Sequence, residues 1–191
     1  MSVRQALLAL LEQGPRYGYQ LRAEFEQRTG STWPLNVGQV YTTLTRLERD
    51  GFVEGTGADD EGHVMYEVTR AGRDEVSGWF TTPVPRTQPP RDELAIKLAL
   101  AVTVPGVDVG ALIQQQRTAT MTALQDYTRL KRNGEGDLAW SLVLDSLVFA
   151  AEAEIRWLDH CESRLRRAAG ERDRNATSAK DSSTTRKGAH R

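Results

Sequence analysis

The chain has 191 residues, 39% of them hydrophobic and 27% charged, with 25 Lys and Arg against 26 Asp and Glu and a net charge of −1. That is enough for one large or two small domains with real cores, and no apolar run of about 18 residues is present to cross a membrane. A single cysteine, Cys161, excludes an intramolecular disulfide, and the apolar run Leu7–Leu11 is too short for a signal-peptide core, so a cytoplasmic protein is expected. A near-neutral charge gives no global support to nucleic-acid binding, but a basic footprint can be local and doubled by dimerisation.

Residues 3–13 read as a strongly apolar helix ended by Gly14-Pro15. A second helix runs from about Tyr17 to Arg28, closed by Thr29-Gly30-Ser31. A loop with Trp33 and Pro34 leads to a third helix at 38–50. A short strand at 52–55, a Gly/Asp-rich tip at 56–62 and an alternating strand at 63–69 follow, and Thr69 is placed to cap a helix at 70–80. Three helices followed at once by a hairpin and a helix describe a winged helix-turn-helix. Trp33 and Trp79 are expected in its core.

Residues 81–90 hold four of the seven prolines and read as a linker. Beyond it everything reads as helix: an apolar stretch at 91–102, a break at Pro105-Gly106, a long helix at about 109–132, a turn at 133–136, and a last helix capped by Asp137 and reaching about Ala168. Residues 170–191 lack large apolar side chains and are expected to be a disordered tail. The fold class is thus mostly α with a small β-wing: a winged helix-turn-helix at 1–80, a Pro-rich linker at 81–90 and an all-helical dimerisation and effector domain at 91–169.

The segment at 38–51, Gly-Gln-Val-Tyr-Thr-Thr-Leu-Thr-Arg-Leu-Glu-Arg-Asp-Gly, is the most informative. Val40, Leu44 and Leu47 recur at helical spacing and would be buried, while Gln39, Tyr41, Thr42, Thr43, Arg46 and Arg49 carry polar groups on or near the other side. Short hydrogen-bonding groups near a helix start suit base edges in a major groove, and arginines suit phosphate or guanine. An ordinary amphipathic surface helix would read similarly, and the flanking elements favour the recognition helix.

On the last helix Trp140, Leu144, Leu147, Ala151, Glu154, Leu158, Cys161 and Leu165 alternate by four and three, with Glu154 the one charged member. This seam is expected to be a dimer surface rather than packing within one chain, with Leu144, Leu147, Ala151, Leu158 and Leu165 at the interface. Tyr127, Trp140 and Trp157 are aromatic candidates for stacking on a flat effector, set against the more usual role of such residues as core.

Catalytic and cofactor signals are lacking. There are three histidines, His63, His160 and His190, and adjacent residues such as His160 and Cys161 point about 100° apart on a helix. No Cys-x-x-Cys, His-Glu-x-x-His, P-loop or Gly-x-Gly-x-x-Gly pattern occurs, so neither an enzyme nor a metal or other cofactor is expected.

Three stretches resemble the PadR family of bacterial transcriptional regulators. Tyr17-Gly18-Tyr19-Gln20-Leu21 is similar to the family's Gly-Tyr-x-Leu at the second helix. Gly38 through Leu44, Arg46-Leu47-Glu48 and Asp50-Gly51-Phe52-Val53 are similar to its recognition signature, and Tyr66 through Gly72 to its Tyr-x-x-Thr-x-x-Gly. The helical half resembles the longer members in layout. The resemblance implies a homodimeric repressor of a pseudo-palindromic operator, released by a small molecule. By position it implies that Tyr19, Gln39, Tyr41, Thr42, Thr43 and Arg46 face DNA, with Arg49 on a phosphate. The family's wing commonly carries Arg or Lys, whereas this tip reads Ala58-Asp59-Asp60-Glu61-Gly62-His63. Three acids repel phosphates, so either the wing bends away and leaves only His63 near the backbone, or it contributes little affinity. The acidic tip gives some support to an alternative, a winged-helix module for protein contacts, which salt dependence would separate from DNA binding.

Overall fold

The computed structural model describes residues 2–85, 91–133 and 137–187, with side chains from 3 to 171. The chain divides into two compact units, residues 1–90 with 135–143, and residues 91–134 with 144–191.

The N-terminal unit contains α1 (Ser2–Leu11), α2 (Gly18–Arg28), α3 (Val37–Arg49), β1 (Val53–Ala58), β2 (Val64–Val68) and α4 (Arg70–Thr81). Its core draws one apolar stripe from each element: Leu7, Leu8 and Leu11 from α1, Leu21 from α2, Val40, Leu44 and Leu47 from α3, Val53 and Val68 from the hairpin, and Val76 from α4. All are essentially removed from solvent, worth about 1.5–3 kcal/mol for each large side chain. This is the winged helix-turn-helix expected from the sequence. β1 and β2 pair antiparallel from Val53↔Val68 to Ala58↔Val64, with a bulge between Gly55 and Gly57.

Local chemistry sets the boundaries. Asn36 caps α3 by accepting the Gly38 N–H at 2.8 Å. At the other end the Phe52 N–H reaches Leu47 O and the Gly51 N–H reaches Glu48 O, a Schellman motif around the left-handed Gly51. Thr69 caps α4 as expected: its hydroxyl accepts from the Gly72 N–H and donates to Gly51 O. Gly72 is required here because a Cβ would lie 2.2 Å from the Phe52 carbonyl oxygen. One feature escaped the sequence pattern. Arg16 pairs with Tyr66 through two backbone hydrogen bonds, adding a single-residue bridge to the wing. The Arg16 guanidinium then caps α1 by donating to Leu10 O and Gly14 O, and its Nε meets Glu24 at 3.0 Å.

The second unit consists of α5 (Glu93–Ala101), α6 (Val109–Asn133) and most of α7 (Leu138–Lys187). Asp92, Asp108 and Asp137 each accept a backbone N–H at the start of one of these helices. Its core gathers Leu98 of α5, Ile113 of α6 and Leu158 of α7, with Trp157, Cys161 and Leu165 packed against them. Arg117 binds Asp159 and Glu162 at 2.7 Å and ties α6 to α7. That ion pair, with Arg166 beside it, holds the Glu162 carboxyl below its ordinary range.

Several expectations are corrected. Leu144, Ala151 and Leu158 are buried within the single chain, and Leu147 and Leu165 are half-buried. At Leu158, Cys161 and Leu165 the seam packs on apolar side chains of α5 and α6 of its own chain. The last helix does not stop near Ala168. Helical backbone continues to Lys187, through most of the stretch expected to be a tail. No proline follows Asp137, and extending an existing helix costs far less than starting one. The α7 residues before Leu144 group with the N-terminal unit rather than with the helical domain. Of the expected linker and turn, residues 86–90 and 134–136 lie outside the described residues. No described helix is long and apolar enough to cross a membrane.

Candidate nucleic-acid interface

The recognition segment folds with the two faces its spacing requires. Val40, Leu44 and Leu47 are fully buried, and Gln39, Tyr41, Thr42, Arg46 and Arg49 are exposed, with Thr43 half-exposed. Thr42, Thr43 and Thr45 each donate a hydroxyl proton to the carbonyl four residues earlier. Their oxygen lone pairs remain outward as acceptors.

Before Pro85 the described chain has no lysine, and most arginines are engaged. Arg4 meets Glu75, Arg16 meets Glu24, Arg22 meets Glu26 and Arg28 meets Glu24. Arg49, expected on a phosphate, lies 2.8 Å from Asp50. That pair is exposed and exchangeable for a phosphate at small cost. Arg46 is the exposed arginine of α3 with no hydrogen bond or ion pair among the described residues. It therefore offers its whole guanidinium to a partner.

Tyr41 and Tyr19 flank this face. The Tyr41 ring lies over Gly18, the first residue of α2, where a Cβ would come within 2.7 Å of its Cζ. The glycine of the Tyr-Gly-Tyr stretch is thus the seat of a recognition-helix side chain, a coupling that spacing along the chain does not reveal. Tyr19 is 56% exposed, with the Arg22 guanidinium 6.0 Å from its ring centroid.

The wing tip is organised around Asp59. Its Oδ1 accepts the N–H of His63 at 2.8 Å and of Glu61 at 3.0 Å, and its Oδ2 lies 3.1 Å from His63 Nδ1. The His63 amide, foremost among these contacts, lowers the Asp59 carboxyl below its usual range. The His63 ring stacks on Tyr17 with centroids 4.4 Å apart. One acid of the three is thereby turned into the hairpin. His63, expected to approach the DNA backbone, has its face and Nδ1 engaged within the unit. Residues 50–69 contain no Lys or Arg, so the wing brings no cation of its own to a phosphate.

The aromatic effector candidates have three different surroundings. Trp157 packs in the core of the helical unit. Trp140 lies against the backbone of Gly30 in the N-terminal unit. Tyr127 lines a cleft between α6 and α7. Trp33 and Trp79, expected in the core, are 52% and 38% exposed and line an apolar groove of about 1040 Å³ in the N-terminal unit with Phe25 and Phe80. The groove stays open over both indoles, so neither is closed into the core.

The PadR-like transcriptional regulator family model matches residues 7–77, and the model described as virulence activator alpha C-term matches residues 90–166. Residues 7–77 thus form a PadR-like transcriptional regulator domain. It is 25% identical over 173 residues to the negative transcriptional regulator PadR of Bacillus subtilis, covering 82% of this chain and 93% of that protein. It is 27% identical over 185 residues to a "probable transcriptional regulator" of Mycobacterium tuberculosis, covering 86% and 98%. The B. subtilis PadR structure with operator DNA has the same fold at a TM-score of 0.67 and 20% identity, covering 86% of this chain and 99% of that one. Its complex with p-coumaric acid gives 0.68 and 22%, covering 87% and 99%. The PadR-like match ends within α4, so it spans the whole polar face of α3 and the wing.

Proposed function

We propose that this PadR-like regulator acts in the cytoplasm as a homodimer on a pseudo-palindromic operator, repressing a neighbouring operon until a small aromatic molecule releases it. The observation that carries this reading is α3, buried on one side and presenting hydroxyls, Gln39 and an unpaired Arg46 on the other. The relative in B. subtilis is a negative regulator whose structures include operator DNA and p-coumaric acid, which supports the same assignment here. A dimer is supported by the apolar side chains that one chain leaves uncovered, among them Phe149, Leu142, Ile96 and Leu100. The reading includes no catalytic step and no cofactor. Tyr19, Gln39, Tyr41, Thr42, Thr43 and Arg46 form the DNA-reading face, and Arg49 exchanges Asp50 for phosphate.

Fluorescence anisotropy and footprinting on DNA upstream of the protein's own gene test the proposal. Two protected half-sites about one helical turn, roughly 34–36 Å, apart are expected. If Arg46 holds a phosphate, Arg46→Ala removes one contact per half-site and flattens the log–log salt dependence by about 0.9 for each. Absence of protection in dilute salt, or binding that ignores salt, refutes it. The acidic wing favours the rival reading, a module for protein contacts, and salt-independent binding is that reading's signature.

A further inference from the structure

The helical unit contains a cleft formed wholly by its own residues. It lies between α6 and α7, has a volume of about 330 Å³, and is lined by Gln116, Thr120, Ala123, Tyr127, Ala150 and Glu154 among others. Gln116 and Tyr127 are eleven residues apart on one helix, so the cleft runs about 16 Å along α6. Alanines line it between the polar residues and Tyr127, leaving room for a flat, elongated molecule.

Glu154 gives the cleft its chemistry. Its Oε1 accepts from Gln116 Nε2 at 2.9 Å and from the buried Thr120 hydroxyl at 2.5 Å. Both donors are neutral, so they fix the carboxylate without cancelling its charge. Neighbouring acids are treated differently: Asp145 meets Lys131, Glu152 meets Arg156, and Asp159 and Glu162 meet Arg117. Glu154 has no ion pair among the described residues, and it is the one charged side chain lining the cleft. A partly buried carboxylate held in place but left uncompensated favours a cation that donates a hydrogen bond and repels an anion.

We propose that this cleft is the effector site, and that it takes an elongated aromatic molecule bearing an ammonium or amidinium group. The cation sits on Glu154 and the ring lies along the alanines toward Tyr127. The proposal rests on the effector reading above and narrows its ligand class. A carboxylate such as p-coumarate would bring a second negative charge to Glu154, so this cleft disfavours it.

Three matched probes test it by calorimetry on the full-length protein: biphenyl-4-methylamine, biphenyl-4-methanol and biphenyl-4-carboxylate. The amine is expected to bind one per chain, roughly tenfold or more tighter than either of the others. Glu154→Gln, close to isosteric, should erase that preference while circular dichroism stays unchanged, and Ala123→Leu should fill the cleft and weaken the amine. The proposal is overturned if the three probes bind alike, if the carboxylate binds tightest, if the amine preference survives Glu154→Gln, or if the amine fails to bind at about 1 mM. The comparison among probes on the unaltered protein stands even if a variant does not fold. No DNA is present in the titration, so failure of the operator reading would leave its result intact.

Discussion

Gly18→Ala separates folding from recognition. Gly18 opens α2 with ordinary helical backbone, so alanine is conformationally welcome there and should add about 0.5–1 kcal/mol of helix stability. Its Cβ, however, would stand 2.7 Å from Tyr41 Cζ and 2.8 Å from Cε1, where ordinary contact begins at 3.4 Å. The ring must move outward by about 0.7 Å or swing away. Because Tyr41 is 38% exposed, it can do so without disturbing the core. Thermal unfolding should therefore change by no more than about 1 kcal/mol, whereas displacement of a base-reading side chain should cost about 1–3 kcal/mol per half-site. Anisotropy with the operator and circular dichroism melts, run in parallel, measure both. The double variant with Tyr41→Ala decides the cause. With the ring gone, the penalty of Gly18→Ala should vanish, a non-additivity expected of residues in contact. Unchanged operator affinity in Gly18→Ala refutes the reasoning, and so does a penalty that persists undiminished without the ring.

Gly72→Ala should behave in the opposite way, because its Cβ would lie 2.2 Å from a backbone oxygen that cannot swing aside. A loss of about 1–3 kcal/mol is expected in chemical denaturation, and a neutral result would remove Gly72 as the spacer between α4 and the wing. Acid should loosen the wing tip. The folded carboxyl of Asp59 titrates below its ordinary value of 3.8, so its contribution is complete above that value and lost as pH falls through the lower, folded one. The His63 amide resonance should report a midpoint below 3.8, and a midpoint at or above it would break the assigned hydrogen bond.

The N-terminal unit was legible because its signals are local. Asp, Thr and Gly sit where caps and turns need them, and the period of Val40, Leu44 and Leu47 marks the buried side of α3 without any knowledge of partners. What escaped was contact between segments distant in sequence: Tyr41 on Gly18, the Arg16–Tyr66 bridge, and the turning of Asp59 into the hairpin. The acidic tip was read from charge alone. Three consecutive acids look alike in sequence, yet only Asp59 faces amide protons that compensate it.

The seam of α7 shows the limit of periodicity. A four-three repeat states that one side of a helix is buried, and it carries no label for whether the cover comes from the same chain or another. Here Leu158 is fully buried beside Leu98 and Ile113 of its own chain. Leu158→Ala should thus lower stability by about 2–5 kcal/mol, the cost of a core cavity. The two origins separate by mass action, because a subunit interface strengthens with protein concentration and an internal core does not. Sedimentation equilibrium of the variant and its parent, beside urea unfolding, measures this. A lowered urea midpoint with an unchanged dimer dissociation constant assigns Leu158 to the interior. A dissociation constant raised about tenfold or more would return the seam to the dimer.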